Sequence, residues 1–296
     1  MKNPYYTLTV ALLSIVIVIS FGFWFWKSPL NADCIDVSPT SAPGPAPEMD
    51  AVVSSEVDPP YVRYHNEFDR LECCLDIAHA GGAYLGQPYT NSLEALERNY
   101  GLGRRVFEVD FAPTCAGQIV LAHDWKNRGR VRPTLNEFRT ELSDHGLTGM
   151  TLQELVAWLA ARPGSKLVTD TKYPDVQLAL LSHLEAASSK QFVRDQVVIQ
   201  VYSEAEIDAP YLRDQAKILT IYKMGRITPE MIGTIAMSSD IIALTIPETF
   251  AKKHLAALRK DLTTLPIYVH GSPSRINSLE YQSFLNNLGA SGFYHE

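Results

Sequence analysis

The sequence predicts an α/β protein whose main domain is a (β/α)8 TIM barrel, and two observations support this prediction. Short apolar runs recur along the chain, and patterns typical of amphipathic helices lie between them. Most runs are continuous stretches of Val, Ile and Leu, as in parallel strands that are buried on both faces. Eight strands alternating with helices favour a closed barrel, and a doubly wound open sheet is the structural alternative. The predicted strands are Leu75–His79, Arg105–Phe111, Lys166–Asp170, Val197–Tyr202, Ile218–Tyr222, Ile241–Ile246, Ile267–His270 and Gly292–His295.

Residues 1–33 are predicted to form a transmembrane helix that anchors the protein. The run from Thr7 to Trp26 contains no charged residue, and as a helix it would span about 30 Å, the thickness of a bilayer's hydrocarbon core. Tyr6 precedes the run and Trp24 lies near its end, as expected for aromatic residues at the two membrane interfaces. A cleaved signal peptide is the rival interpretation, but no small-x-small cleavage site follows the run. We therefore expect an uncleaved, single-pass anchor.

Residues 34–70 are predicted to be a proline-rich tether between the anchor and the barrel domain at 71–296. Prolines cluster in this segment, and its apolar residues follow neither a helical nor a strand period. We expect the N-terminus to lie inside the cell and the barrel outside it, which in a Gram-negative bacterium is the periplasm. The positive charges at Lys2 and Lys27 flank the span and leave this orientation weakly determined.

The composition is that of an ordinary globular protein, with 46% hydrophobic and 20% charged residues. The net charge of -7 argues against a nucleic-acid partner, because binding to a phosphate backbone requires a basic surface. No cysteines form a C-x-x-C pair, so a zinc site is not indicated. A disulfide outside the cytoplasm, for example between Cys34 and Cys73, remains open.

One strand-like segment, Gln118–His123, interrupts the alternation of strands and helices. Only Ala112–Gly117 separates it from the second predicted strand, which is too short for a crossover helix. We therefore predict a β-hairpin insertion after strand 2 that folds over the barrel mouth. A turn centred near Ala116 would place His123 opposite Val109.

Polar residues stand at the carboxyl ends of several predicted strands, which is where the active sites of such barrels lie. Alternate residues on a strand face the same side, so Glu108 and Asp110 share a face. Each residue alone has a structural explanation, but together they supply what phosphodiester cleavage requires. Carboxylates bind a hard divalent cation that stabilises charge on the phosphoryl oxygens, and histidines transfer protons near neutral pH. The candidates are His79, Glu108, Asp110, His123, Asp170 and Lys172.

The same residues, in the same order, resemble the motifs of the glycerophosphodiester phosphodiesterase family, within the barrels related to phosphatidylinositol-specific phospholipase C. The matching segments are AHAGG, TNSLEAL, FEVD, LAHD, TDTK and the closing GASGFYHE. The resemblance implies that His79 and His123 are the acid/base pair. It implies that one divalent cation, Mg2+ or Ca2+, is held by Glu108, Asp110 and Asp170. It further implies that Asn91 and Lys172 contact the substrate or the metal ligands.

Departures from the family pattern leave the substrate open. Ala80 replaces the arginine that follows the first histidine, and Thr90 replaces a glutamate. Asp170 is shorter than the family's glutamate and also resembles the sphingomyelinase D branch of the superfamily. A replacement for the missing arginine could come from Arg128, Arg130 or Arg132, or that loop could simply be solvated. His270 is a candidate for lining the substrate pocket, and Trp125 for contacting a lipid or glycerol moiety or for packing.

Three functions are compatible with the sequence. The leading one is hydrolysis of a glycerophosphodiester, and the second is a C- or D-like phospholipase activity on intact membrane lipid. An apolar rim around the mouth would favour lipid, whereas a narrow polar pocket would favour a deacylated substrate. The third is a non-catalytic, anchored binding protein on the same barrel, which the retained histidines and carboxylates argue against. No G-x-S-x-G motif or phosphate-binding P-loop is present.

Overall fold

The computed structural model of this chain describes residues 76–213, 215–221, 232, 235 and 240–296. The predicted anchor (1–33) and tether (34–70) lie outside the described residues, so both remain predictions. Within the described ranges, no helix has the length and apolar character needed to cross a membrane.

The described chain folds into a closed barrel of eight parallel strands with one additional antiparallel strand. Each strand pairs with its neighbours around the ring, and β1 pairs with both β9 and β2, which closes it. The closed barrel was therefore correctly predicted, and the open-sheet alternative is wrong. The strands are β1 (Asp76–Ala78), β2 (Val106–Pro113), β3 (Ile119–Leu121), β4 (Lys166–Thr171), β5 (Val197–Val201), β6 (Lys217–Thr220), β7 (Ile241–Pro247), β8 (Ile267–His270) and β9 (Gly292–His295).

Each parallel strand contributes one residue to an apolar layer inside the barrel. This layer contains Ile77, Val106 and Val168 among others and is at most 4% exposed to solvent. Because side chains alternate along a strand, the next inward positions toward the carboxyl end are Glu108 on β2 and Asp170 on β4. The apolar layer therefore forms a floor, and polar residues lie directly above it at the mouth.

Helices cover the outer face of the barrel, and two of them begin at capping boxes in the sequence. Thr151 and Glu154 form a capping box before α3, and Thr134 and Glu137 form another before α2. The helices are α1 (Leu93–Gly101), α2 (Leu135–Ser143), α3 (Leu152–Ala160), α4 (Pro174–Ala187), α5 (Lys190–Gln196), α6 (Glu204–Ile207), α7 (Glu248–Asp261), α8 (Pro273–Ile276) and α9 (Leu279–Asn287).

The predicted hairpin is present, and its register is the one expected. Strand β3 runs antiparallel to β2 with Phe111 opposite Leu121, so continuing this register places His123 opposite Val109. Strand β3 is shorter than the predicted Gln118–His123. Beyond it, a short 3-10 turn at Lys126–Arg128 leads toward α2, and the hairpin and α2 form one wall of the barrel mouth.

Cys115, in the turn of this hairpin, is disulfide-bonded. Its partner lies outside the described residues. The disulfide considered from the sequence joined Cys34 to Cys73, and Cys115 was not one of its two cysteines.

Candidate active site

A cavity of about 720 Å³ opens at the carboxyl ends of the strands. Eight of the nine residues that the sequence analysis selected line this cavity, and the ninth, Glu108, is buried beside it. The predicted residues are therefore brought together in one place. Those that line the cavity are His79, Asn91, Asp110, His123, Trp125, Asp170, Lys172 and His270.

Three buried carboxylates form a compact cluster at the base of this cavity. Glu108, Asp110 and Asp170 each offer an oxygen, and these oxygens lie within 4.8 Å of one another. Glu108 and Asp110 share the inward face of β2, and Asp170 is the register partner of Asp110 on β4. Burial and then repulsion from neighbouring carboxylates raise the pKa values of Glu108 and Asp110. Hard oxygen ligands concentrated in this way suit Mg2+ or Ca2+, whose charge would offset the repulsion.

Two of these carboxylates are held by groups from the loop after β1. The backbone N–H of Ala80 donates to Glu108 Oε2 at 2.7 Å. Asn91 donates from Nδ2 to Asp110 Oδ2 at 3.0 Å and accepts from the backbone N–H of Asp110 at 3.0 Å. Ala80 and Asn91 both have positive φ angles, 49° and 48°, a strained conformation that commonly marks functional sites. Asn91 therefore contacts Asp110 through both atoms of its side-chain amide, and its role toward a substrate stays a prediction.

His79 is hydrogen-bonded to the carboxylate of Glu296, a residue that was not among the predicted site residues. The distance from His79 Nδ1 to Glu296 Oε1 is 2.6 Å, and His79 Nε2 lies 3.9 Å from Glu108 Oε2. Burial alone would lower the pKa of His79. The hydrogen bond to Glu296 and the charges of Glu108 and Asp110 outweigh it and raise the pKa to about 9. One ring nitrogen is thus fixed, and the other faces the carboxylate cluster.

Glu296 directly follows β9 and reaches the same layer as the other inward-facing residues. Its second oxygen accepts a hydrogen bond from the backbone N–H of Tyr89 at 3.2 Å. The sequence carried a signal for Glu296, because it is a polar residue at the end of the last predicted strand. The strand-end rule that selected His79 and Asp170 would have selected it too.

The third carboxylate, Asp170, has a hydrogen-bond donor on each oxygen. Lys172 Nζ lies 2.5 Å from Oδ2, and the hydroxyl of Tyr202 donates to Oδ1 at 2.5 Å. Tyr202 in turn accepts from Gln200 Nε2 at 2.5 Å, and Gln200 Oε1 accepts from the hydroxyl of Tyr294 at 3.3 Å. This hydrogen-bonded chain crosses the barrel interior and fixes the shorter side chain of Asp170. Tyr202 was not among the predicted site residues, because the sequence indicated only that it ends a strand.

The hydrogen-bonded partners also set the acidities of Lys172 and Tyr202. Burial would lower the pKa of Lys172, but the charge and hydrogen bond of Asp170 raise it. Burial, and then the charge of Asp170, raise the pKa of Tyr202, which keeps its hydroxyl a hydrogen-bond donor. Lys172 therefore presents a positive charge to the cavity.

His123 lies on the hairpin side of the cavity and is far more exposed than His79, at 46% against 15% of the side chain. Its Nδ1 lies 3.0 Å from Asp124 Oδ2. Asp124 also accepts from the backbone N–H of Lys126 at 2.9 Å. Both histidines therefore have one ring nitrogen bound to a carboxylate, but in different surroundings.

Trp125 and His270, two further predicted residues, both contact aromatic rings beside the cavity. Trp125 is only 6% exposed and packs against Phe138, and its Nε1 donates to the carbonyl of Pro113 at 2.8 Å. Packing is therefore its main role, and part of its surface lines the cavity. The ring of His270 lies 4.9 Å from that of His79. Burial, and then the neighbouring His79, lower the pKa of His270 to about 4.

Within the described residues, no arginine lines the cavity in place of the one missing after His79. Ala80 is fully buried, Arg128 pairs with Glu141, and Arg132 pairs with Asp175. None of the three loop arginines lines the cavity. Among the lining residues in the described part of the chain, Lys172 is the one lysine or arginine available to contact a phosphate.

Comparison with known proteins supports the assignment of the fold. No family model matches this chain. A Galdieria sulphuraria protein provisionally described as a glycerophosphodiester phosphodiesterase superposes with a TM-score of 0.59 at 18% identity, covering 75% of this chain and 93% of that one. A Parabacteroides distasonis glycerophosphoryl diester phosphodiesterase gives 0.55 at 19% identity, covering 78% and 85%. A Thermotoga maritima glycerophosphodiester phosphodiesterase gives 0.54 at 19%, covering 75% and 94%. This chain shares the barrel fold of these proteins.

Proposed function

We propose that this protein is a metal-dependent phosphodiester hydrolase that cleaves glycerophosphodiesters. One observation carries the proposal, namely that three buried carboxylates with oxygens within 4.8 Å of one another share a site with two histidines. The proteins of the same fold are described as glycerophosphodiester phosphodiesterases. The order of the motifs in the sequence agrees with this activity.

In this proposal, Glu108, Asp110 and Asp170 hold one divalent cation, either Mg2+ or Ca2+. The bound cation would stabilise negative charge on the phosphoryl oxygens. Lys172 neutralises another phosphate oxygen, because it is the one lysine or arginine among the described residues that line the cavity. Asn91 and Tyr202 keep the carboxylates in position through the hydrogen bonds described above.

His79 and His123 transfer the two protons that hydrolysis requires. One takes a proton from the attacking water, and the other gives a proton to the leaving oxygen. Glu296 holds Nδ1 of His79 at 2.6 Å, so Nε2 is the nitrogen that acts. Asp124 binds Nδ1 of His123 at 3.0 Å in the same manner, so both rings present Nε2 to the substrate.

The protein is further proposed to work outside the cytoplasm, held at the membrane by residues 1–33. The apolar run in the sequence supports the anchor. The disulfide at Cys115 supports an oxidising compartment. In a Gram-negative bacterium this compartment is the periplasm, where the substrates would be membrane phospholipids and their deacylated products.

Turnover of glycerophosphocholine by the full chain tests the proposal. The assay compares Mg2+, Ca2+ and EDTA for the wild type, His79→Ala and Glu108→Gln. Matched controls are His183→Ala on α4 and Glu280→Gln on α9, which change exposed residues of the same types. Metal-dependent turnover that only the two site variants lose would support the proposal. Absence of turnover together with absence of metal binding would contradict it and favour the binding protein.

A further inference from the structure

The cavity extends beyond the carboxylates into a groove between the hairpin and α2. Five apolar side chains line this part, which we call the apolar groove: Leu121, Ala122, Trp125, Phe138 and Leu142. It begins beside the reaction centre, because Ala122 directly precedes His123 and its N–H donates to the carbonyl of Asp110 at 3.0 Å. The groove and the proposed catalytic residues therefore belong to one continuous space.

The groove is preorganised by packing. Trp125 is fixed by its hydrogen bond to Pro113 and by edge-to-face contact with Phe138, the ring centroids being 5.9 Å apart. Gly149 passes so close to α2 that an added Cβ would lie 2.7 Å from Phe138 and 2.8 Å from Leu142. These two side chains therefore pack directly against the backbone at Gly149. Its apolar surface exists before any ligand binds.

The lining of the groove does not suit the polar parts of a deacylated glycerophosphodiester. Hydroxyl or charged groups placed against Leu121, Phe138 and Leu142 would lose hydrogen bonds to water without replacement. An alkyl chain placed there would instead gain from removal of apolar surface from water. Four polar residues from the same part of the chain also line the cavity, namely Asp124, Asn127, Glu141 and His145.

The size of the cavity also favours a substrate that carries an alkyl chain. Its volume of about 720 Å³ falls in the upper half of the range of roughly 300–1,000 Å³ for pockets that enclose whole drug-sized ligands. The carboxylates, histidines and Lys172 occupy one part of it, which accounts for the phosphate and its immediate neighbours. The remaining volume, which the apolar groove bounds, is the part that a chain of the substrate could occupy.

We propose that the substrate is a one-chain phospholipid, of the lysophospholipid class, whose alkyl chain lies in the apolar groove. This inference rests on the proposed function and specifies its substrate. Water attacks the phosphorus, a new P–O bond forms, and the bond to one ester oxygen breaks. That oxygen takes a proton and leaves as an alcohol, and the phosphate remains as a monoester.

A chain-length series measures the contribution of the groove. The full chain is kept in amphipol without detergent. It is assayed with glycerophosphocholine and with hexanoyl, octanoyl and decanoyl lysophosphatidylcholine below their micelle concentrations. A methylene about half removed from water contributes about a twofold gain, so kcat/KM should rise by about twofold per methylene. The gain should appear mainly in KM, because the chain does not touch the reacting atoms.

Leu142→Gln tests the groove directly, because it places an amide in the apolar lining. The ratio of kcat/KM for decanoyl lysophosphatidylcholine to that for glycerophosphocholine should fall by about tenfold. Leu142→Met should retain most of that ratio, and Leu178→Gln on α4, where the side chain is 61% exposed, should leave it unchanged. Thermal unfolding of all three variants shows whether Leu142→Gln is still folded.

The possible outcomes separate this inference from the proposed function. Equal kcat/KM for all chain lengths, with no effect of Leu142→Gln, would overturn the groove but leave phosphodiester hydrolysis intact. Equal turnover of a two-chain phospholipid would overturn the one-chain assignment. If no substrate is turned over, calorimetry with decanoyl lysophosphatidylcholine still tests the groove. Binding that Leu142→Gln weakens would support it, and absence of binding would refute it.

Discussion

The two sides of the candidate active site differ in how firmly their histidines are held. On the barrel side, His79 is 15% exposed and bonded to Glu296, whose side chain is 4% exposed. On the hairpin side, His123 is 46% exposed and bonded to Asp124 at the surface. The barrel side is thus built for fixed positions of charge. The hairpin side is more open to solvent.

This difference follows from the architecture. Residues on barrel strands are held by the strand register and by the apolar layer beneath them. His123 follows a three-residue strand, β3, and is supported mainly by local hydrogen bonds. Substitutions on the barrel side should therefore reduce turnover more than matching substitutions on the hairpin side.

Removal of a barrel-side carboxylate should have the largest effect. Glu108→Gln deletes one of three charged ligands, so turnover should fall by about a thousandfold or more, with loss of metal binding. Rate measurements and metal titration by calorimetry provide the test. Retention of both in this variant would show that the carboxylate cluster does not bind the metal.

Loss of either histidine should be severe, but the comparison predicts an order. His79→Ala should lower kcat by about a thousandfold, within the range of about 10²–10⁴ for general acid–base groups. His123→Ala should cost somewhat less, since solvent can deliver a proton to its exposed position. Steady-state kinetics decide this order, and a larger loss for His123→Ala would invert the comparison.

Glu296→Gln should reduce kcat by about tenfold to a hundredfold with little change in KM, because the side chain orients His79 and does not touch substrate. The variant also tests linkage between protonation and folding. The pKa of His79 is about 9 in the folded protein, against 6.5 ordinarily. Stability from its protonation is therefore full below pH 6.5 and is lost as the pH rises through 9. The metal-free wild type should lose up to about 3 kcal/mol across this window.

Denaturant unfolding of the metal-free protein at several pH values measures this loss. Glu296→Gln removes one of the interactions that raise the pKa, so its stability should change less with pH. The same pH dependence in both proteins would show that Glu296 does not control the protonation of His79.

Tyr202→Phe should have a smaller effect, because it removes a single hydrogen bond to Asp170. Loss of a partner that orients a metal ligand typically reduces metal affinity by about tenfold to a hundredfold. We expect the lower end, since Lys172 still contacts Asp170. Calorimetric titration of the metal is the measurement, and an unchanged affinity would mean that Asp170 does not depend on Tyr202.

Asp124→Asn should be the mildest change, with turnover reduced by about twofold to fivefold. Its hydrogen bond to His123 is exposed to solvent, where such interactions contribute little. Comparison of its kcat with that of Glu296→Gln sharpens the contrast between the two sides. Equal losses would mean that the exposed histidine is positioned as strictly as the buried one.

Much of the barrel was predictable from the sequence because the strands are buried on both faces. Continuous apolar runs such as Val197–Ile199 are recognisable without any knowledge of their partners. The hairpin register was predictable as well, since the spacing between β2 and β3 fixes which residues lie opposite each other. His123 was placed correctly on that basis.

The missed residues depend on contacts between distant parts of the chain. Glu296 reaches His79 only because β9 pairs with β1 and closes the barrel. Tyr202 reaches Asp170 only because β5 lies beside β4. The buried state of Trp125 likewise depends on α2, which packs against the hairpin. Local spacing shows that Glu296 follows a strand, but it cannot reveal which side chains these residues contact.

The most direct test of the account measures metal binding and glycerophosphodiester turnover on the same sample of the full chain. Mg2+ or Ca2+ is titrated into metal-free protein while the heat of binding and the rate of hydrolysis are both recorded. We expect one cation bound per chain and a hydrolysis rate that rises in proportion to the fraction of metal sites occupied. Full turnover in EDTA, or a bound cation that leaves the rate at zero, would contradict it.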